Sequence, residues 1–388
     1  MSPTAFEFAT ATRIVFGPGR LAEAPELVRA LGGQRVLLVT GKTPARASAL
    51  RESLEALGLV VTGFRVESEP TVDLVRQGLG LLAEARCDVV VAMGGGSALD
   101  AGKALAALAT QGGDPLDYLE VIGRGQPLTR ASLPFVAIPT TAGTGSEVTR
   151  NAVLGSREAQ VKASLRGPKL LPAVALVDPD LLIGAPASVL ASSGMDALSQ
   201  LIEPFLSARA NPLTDSLARE GLRRSARSLR RAVLEGLDAE AREDLALASL
   251  FGGLCLANSG LGAVHGFAAP VGGMFDAPHG AVCAALLSAV LDVNLRALRA
   301  RAPEHPSLPR FRELAILLTG RPEAREEDAL SWVEALRVDL RIPGLAAHGL
   351  TPARVPELVT KARAASSMKA NPLPLTDAEL AEIATRSL

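Results

Sequence analysis

Residues 88–108 read DVVVAMGGGSALDAGKALAAL. The run Asp88 to Met93 is apolar after its first residue and of strand length. A half-exposed strand would alternate, so this one is read as buried on both faces. It enters Gly94-Gly95-Gly96-Ser97, which opens a helical pattern. Strand, glycine turn and helix N-terminus in that order make an anion site. Residues without Cβ let the backbone approach a pyrophosphate, and free N–H groups and the helix dipole favour its charge. The turn is not the GxGxxG fingerprint, and a plain tight turn would use the same residues. On this stretch alone both readings stand.

Upstream, the same alternation repeats. Arg13 to Phe16 reads as a strand stopped by Gly17-Pro18-Gly19, and LAEAPELVRALGG follows as a helix ending at Gly32 and Gly33. RVLLVT, Arg35 to Thr40, is another buried strand. ARASALRESLEALG has helical spacing, LVVTGFRV returns to strand, and VDLVRQGLGLLAEAR reads as helix. Such alternation predicts a parallel, doubly wound α/β sheet in a dinucleotide-binding domain. After about Asp178 the texture changes to long Ala/Leu/Arg helices. The boundary is expected near Ala185, giving an α/β domain over 1–184 and an all-helical metal and substrate domain over 185–388. In LTDSLAREGLRRSARSLRRAVLEG, the arginines at 223, 224, 227, 230 and 231 are read as a solvated face.

Composition narrows the partners. The chain has 388 residues, 48% of them apolar, and a formal charge of −1, which suits two packed domains and neither nucleic acid nor an anionic membrane. One Trp and one Tyr argue against a base-stacking platform. Cys87, Cys255 and Cys283 are far apart without CxxC pairing, and are read as reduced thiols packed as small hydrophobes. Apolar stretches are broken by Gly, Pro or charges before spanning length. The opening MSPTAFEFATATRIVFG has acidic Glu7 and no basic start, unlike a secretory signal. A cytoplasmic protein acting on small molecules is the expectation.

A second loop strengthens the nucleotide reading. Phe135 to Pro139 is a strand entering TTAGTGSE, Thr140 to Glu147, with four hydroxyls and two glycines in eight residues. Hydroxyls can bind phosphate or ribose, and Gly143 and Gly145 allow close approach. Two such loops at strand ends fit the crevice rule for open α/β sheets. A metal constellation lies further on. Asp196 and Gln200 in SSGMDALSQLIEPF are spaced i and i+4, hence on one helix face. AVHGFAAPVGGMFDAPHGAV supplies His265 and His279, two of the chain's four histidines. Either alone would be read as a satisfied core residue. With an inward carboxylate they suit Fe, Zn or Mn.

FVAIPTTAGTGSEVTRNAV together with GGGSALDAGKALAAL resembles the iron-containing (group III) alcohol dehydrogenase family, and the likeness runs from TRIVFGPG to SSMKANPLPLT. It implies hydride transfer between a nicotinamide and a small alcohol or aldehyde. It further implies Fe²⁺ or Zn²⁺ held by Asp196, His265 and His279, and a homodimer or higher homo-oligomer. The cofactor residues it implies are Gly95, Gly96, Ser97, Asp100, Thr140, Thr141, Thr144 and Asn151, with Lys162 near the nicotinamide ribose. Gly41 and Thr43, after strand RVLLVT, are expected among the cofactor-binding residues, at the adenosine end. NAD-preferring relatives carry Asp in place of Gly41, so Gly41 with Lys42, Thr43 and Arg46 leans the expectation to NADP, with NAD as the alternative.

Two departures stand out against the resemblance. Gln200 stands where the family has a histidine ligand and is expected to coordinate the metal weakly or to hydrogen-bond within its shell, and Ala269 replaces a second histidine four residues after His265. They keep open a metal-independent enzyme resembling maleylacetate reductases, whose FDLPH pattern is close to FDAPHG here. A catalytically silent nucleotide-binding protein is also open. A glycerol or cyclitol-phosphate enzyme is less favoured by the TTAGTGSE run. Pocket walls are expected near Phe251, Phe267 and Phe275.

Overall fold

The structure, a computed structural model, describes residues 5–156, 161–275 and 277–388. Asp276, in the FDAPHG segment, lies outside them. Two compact units emerge: one holds 9–141 and 145–183, the other 184–388 with 142–144 and the described residues up to Phe8.

In the first unit, six strands form one parallel sheet. They are β1 (Arg13–Phe16), β2 (Arg35–Thr40), β3 (Val60–Arg65), β4 (Val89–Gly94), β5 (Phe135–Pro139) and β8 (Val174–Val177), in the order β1-β8-β5-β4-β2-β3. Between β5 and β8 the chain inserts an antiparallel hairpin, β6 (Asn151–Ser156) and β7 (Val161–Arg166). Register explains the apolar runs. Leu38, Val91 and Val136 lie side by side across β2, β4 and β5, and pack with α1 (Ala24–Ala30) and α2 (Ser48–Ala56). Their neighbours Leu37, Val90 and Phe135 point the other way, against α3 (Val72–Glu84) and α4 (Gly96–Gln111). With side chains alternating between two buried faces, every position must be apolar.

Among its described residues, the second unit has helices joined by loops and no strand. It comprises α5 (Ala187–Leu206), α6 (Pro212–Leu234), α7 (Ala239–Ser259), α8 (Ala263–Phe275), α9 (His279–Arg301), α10 (Leu308–Thr319), α11 (Glu326–Asp339), α12 (Val355–Ala364) and α13 (Asp377–Arg386). Helix α9 is apolar and long enough to pass for a membrane span, but 83% of that window is buried in protein: it is the central helix, packed on α5, α8, α11 and α13.

The arginine stripe of α6 is partly the solvated face expected, with Arg223 and Arg227 exposed, but two of its arginines also meet a buried acid. Arg224 donates to Asp244 of α7 at 2.9 Å, and Arg227 donates to it at 2.8 and 2.6 Å. Asp244 is 1% exposed. A buried carboxylate needs such donors, so these two arginines are structural. Helical period assigned their face but not the acid on the next helix.

Candidate functional site

Helix α5 carries Asp196, Gln200 and Glu203, spaced i, i+4 and i+7, so one buried face presents three polar groups. Helix α8 brings His265 in its first turn, and α9 brings His279 as its first residue. His265 Nε2 lies 3.4 Å from Asp196 Oδ1, and His279 Nε2 lies 3.5 Å from the same oxygen. Cys283, one turn along α9 from His279, places Sγ 3.9 Å from His265 Nε2 and 3.7 Å from His279 Nε2. The four donor atoms all lie within 4.8 Å of one another. Asp196, His265 and Cys283 are buried, while the His279 side chain is 39% exposed.

These separations suit a bound cation. Tetrahedral coordination at Zn–N and Zn–O bonds of about 2.0–2.1 Å and Zn–S of about 2.3 Å gives donor edges of roughly 3.3–3.6 Å. The observed 3.4 and 3.5 Å match, and the sulfur contacts are a few tenths longer. Asp196 Oδ1 and Gln200 Oε1 are both buried without a hydrogen-bond partner. Buried oxygens are ordinarily satisfied, and a cation would satisfy such a site. Gln200 Oε1 packs toward Gly252 of α7.

Glu203 completes the support. Its Oε2 lies 2.6 Å from His265 Nδ1, and its Oε1 accepts from the Val264 N–H at 2.7 Å. The carboxylate therefore holds the proton on Nδ1 and leaves the Nε2 lone pair for a metal, the usual carboxylate–histidine arrangement. It also sits at the positive N-terminus of α8, where Asn371 Oδ1 accepts from Ala263 N–H. Glu203 Oε1 and Asn371 Oδ1 each lie 2.9 Å from where a Cβ on Gly262 would be, so a side chain there would push on both hydrogen-bonded groups.

Charge is shared within the cluster. The Cys283 thiolate, then Asp196, raises His279 to about 9 against the opposing effect of burial. Burial works to lower His265, but Cys283, Asp196 and Glu203 outweigh it and lift it well above the usual imidazole range. Burial would raise Asp196 and Cys283, yet the two imidazoles bring both down.

Apart from residues 142–144, which group with the helical unit, the strand-end loops lie in the α/β unit. Gly95 is the N-cap of α4 and makes no side-chain cap, unlike Thr71 at the start of α3. No side chain caps the amide end of α4, and a Cβ at Gly95 would lie in ordinary contact with Thr141, 3.5 Å away. Thr140 N–H donates to Gly94 O at 2.9 Å, tying the two loops together. Gly145, at φ 58°, supplies the left-handed turn into Ser146–Val148.

Several expected cofactor residues have partners within the chain. Asp100 accepts from Ser146 Oγ at 2.5 Å and Val153 N–H at 2.9 Å, and pairs with Lys103 at 3.1 Å. It braces the loops. Asn151 O accepts from the buried Lys103, and Lys162 pairs with Glu69 at 2.6 Å. Arg46 donates to the carbonyls of Leu181 and Ile183, so its guanidinium is turned away from the role expected of it. Thr43 is exposed and Gly41 partly so. A cavity of about 410 Å³ at the ends of β2 and β3 is lined by Thr40, Ser48, Arg51 and Arg65.

Phe267 is not a pocket wall: it is wholly buried core. Phe251 is partly buried, and Phe275 stacks under Arg354. Sequence reasoning missed Cys283 and Glu203. Their i+4 and i+7 spacing from His279 and Asp196 was the available signal.

Residues 11–179 match the family described as iron-containing alcohol dehydrogenase, and 190–388 match the Fe-containing alcohol dehydrogenase family, C-terminal. The chain belongs to the iron-containing alcohol dehydrogenase family. It is 37% identical to 1,3-propanediol dehydrogenase of Klebsiella pneumoniae over 99% of each chain. A crystal structure of 1,3-propanediol oxidoreductase superposes with TM-score 0.91 at 35% identity, over 99% of this chain and 100% of that one. Sulfoacetaldehyde reductase from Bifidobacterium kashiwanohense, solved with NAD⁺, superposes with TM-score 0.88 at 30% identity, over 99% of each. Like other iron-containing alcohol dehydrogenases, this chain is an oxidoreductase acting on CH–OH groups. The family uses NAD(P) and a metal.

Proposed function

We propose that this chain interconverts a small alcohol and its aldehyde, with NADP(H) as the preferred nicotinamide and Fe²⁺ or Zn²⁺ at Asp196, His265 and His279. The observation that carries the reading is the convergence of those donors around an otherwise unpartnered Asp196 Oδ1. When bound, the metal supplies Lewis-acid polarisation of a substrate oxygen and the nicotinamide supplies the hydride chemistry. Asp196 contributes the negative charge, and the imidazoles of His265 and His279 offer neutral donors once deprotonated. Glu203 fixes the His265 tautomer. Ala269, exposed one turn after His265, carries no proton, so protons reach solvent past the part-exposed His279 or through water.

The NADP preference rests on Gly41, where no carboxylate opposes a 2′-phosphate, and on the exposed Lys42 next to it. The pyrophosphate is assigned to the Gly95–Ser97 turn, and Lys162 to the ribose. We also propose a cytoplasmic homodimer or higher oligomer, with α/β and helical domains divided near residue 184.

The test is metal analysis of purified protein, then a panel of alcohols and aldehydes with each nicotinamide. Turnover with NADP(H) that chelators abolish and Fe²⁺ or Zn²⁺ restores is expected. Turnover indifferent to chelators would favour the maleylacetate-reductase-like reading, and bound metal with no turnover would favour a silent binding protein.

A further inference from the structure

Three buried thiols occupy the described residues, and one differs from the other two in its surroundings. Cys87 packs in the α/β core, and Cys255 donates to the Thr214 carbonyl at 3.3 Å. Cys283, wholly buried on α9, instead faces two imidazoles and a carboxylate. We propose that the Cys283 thiolate is a metal ligand in this chain, taking over the coordinate that the Gln200 carboxamide fills poorly and turning the site from Fe²⁺ towards Zn²⁺. The inference rests on the metal-dependent reading above.

Geometry and ligand softness agree. The sulfur lies within a few tenths of an ångström of tetrahedral edge distances to both imidazole Nε2 atoms. His279 and Cys283 are one helical turn apart on α9, the same spacing as Asp196 and Gln200 on α5. A donor from α9 can thus replace one from α5 without moving either helix. A carboxylate and a thiolate together neutralise a divalent ion. Two imidazoles complete the donor set, with the Glu203 carboxylate adding its own negative charge behind His265. Thiolate is a soft ligand that favours Zn²⁺, whereas a carboxamide oxygen is a weak one for such ions.

The experiment is a cobalt titration of the reduced apoprotein under anaerobic conditions. Co²⁺ should bind at one equivalent with a thiolate-to-cobalt charge-transfer band in the near ultraviolet. Cys283→Ala should lose the band, and Cys87→Ala and Cys255→Ala should keep it. Zn²⁺ affinity of Cys283→Ala, measured against a chromophoric chelator, should fall at least about tenfold. Adding Gln200→His to that variant should restore affinity without the band, and lower the Zn²⁺-to-Fe²⁺ affinity ratio relative to the unmodified chain. One equivalent of Co²⁺ bound by the unmodified protein with no thiolate band overturns the ligand assignment and leaves the metal reading standing. A ratio no higher in the unmodified chain than in the double variant overturns the zinc preference. Failure of Co²⁺, Zn²⁺ and Fe²⁺ to bind at all overturns both proposals.

Discussion

Replacing Glu203 by Gln should weaken metal binding through His265, which Glu203 touches, although Glu203 itself is no part of the donor cluster. The substitution keeps size and still offers an oxygen to Val264 N–H, now held at 2.7 Å by the carboxylate. It puts an NH₂ group where His265 Nδ1 has a carboxylate oxygen at 2.6 Å. Two N–H groups cannot face each other, so the imidazole shifts its proton to Nε2, the atom that looks at Asp196. In that tautomer the ring cannot ligate until its contact with the introduced carboxamide is broken. Supporting partners of this kind are worth about 10–100-fold in metal affinity, or roughly 1.4–2.7 kcal/mol. The loss of negative charge at the α8 N-terminus adds about 0.3–1 kcal/mol to the apoprotein's destabilisation. Chelator competition with Zn²⁺ measures the first quantity and denaturant unfolding of metal-free protein the second. Affinity within twofold of the unmodified chain, in a variant whose apoprotein unfolds normally, would refute the argument that Glu203 sets the His265 tautomer.

Gly41→Asp tests the cofactor preference: a Cβ at Gly41 would meet nothing within 4 Å, so the carboxylate is accommodated without strain. Its charge beside a 2′-phosphate should cut kcat/KM for NADP⁺ about tenfold or more and leave NAD⁺ little affected; equal loss for both would count against the preference. Glu147, wholly buried, is raised to about 7 chiefly by burial, with a backbone N–H and Lys103 opposing. Its folded value lies above the unfolded one, so its contribution is fully present below about pH 4.5 and is lost as pH rises through about 7. The loss is about 3 kcal/mol at 1.36 kcal/mol per unit, and Glu147→Gln should flatten the pH dependence of unfolding between pH 5 and 8; an unchanged profile would exclude this carboxyl as its source. At Gly280, a Cβ would lie 2.1 Å from the Ser192 carbonyl oxygen, which is backbone of α5 and cannot swing aside. Gly280→Ala should therefore cost about 1–3 kcal/mol in thermal or denaturant unfolding and loosen metal binding at the neighbouring His279; a neutral effect on both would mean that α5 and α9 separate freely.

The primary sequence by itself determined the α/β sheet, because a strand covered on both faces must be apolar at every position. RVLLVT and DVVVAM obey that rule through their interiors, with Leu37 and Leu38 going to opposite cores. It also singled out the two strand-end loops, where glycines and hydroxyls are too concentrated for a packing role, and the Asp196, His265 and His279 set, because histidine is rare in this chain. What only the tertiary structure decided is which groups meet. Cys283 looks like any small apolar residue on a buried helix until α5 and α8 bring Asp196 and His265 against it. Glu203 becomes the partner of His265 only because α8 begins at its carboxylate, and the α6 arginines find Asp244 only across a helix interface. Periodicity specifies the direction in which a side chain points. The charge it meets there belongs to another segment of chain, so its protonation and its capacity to bind a metal are properties of the packed helices.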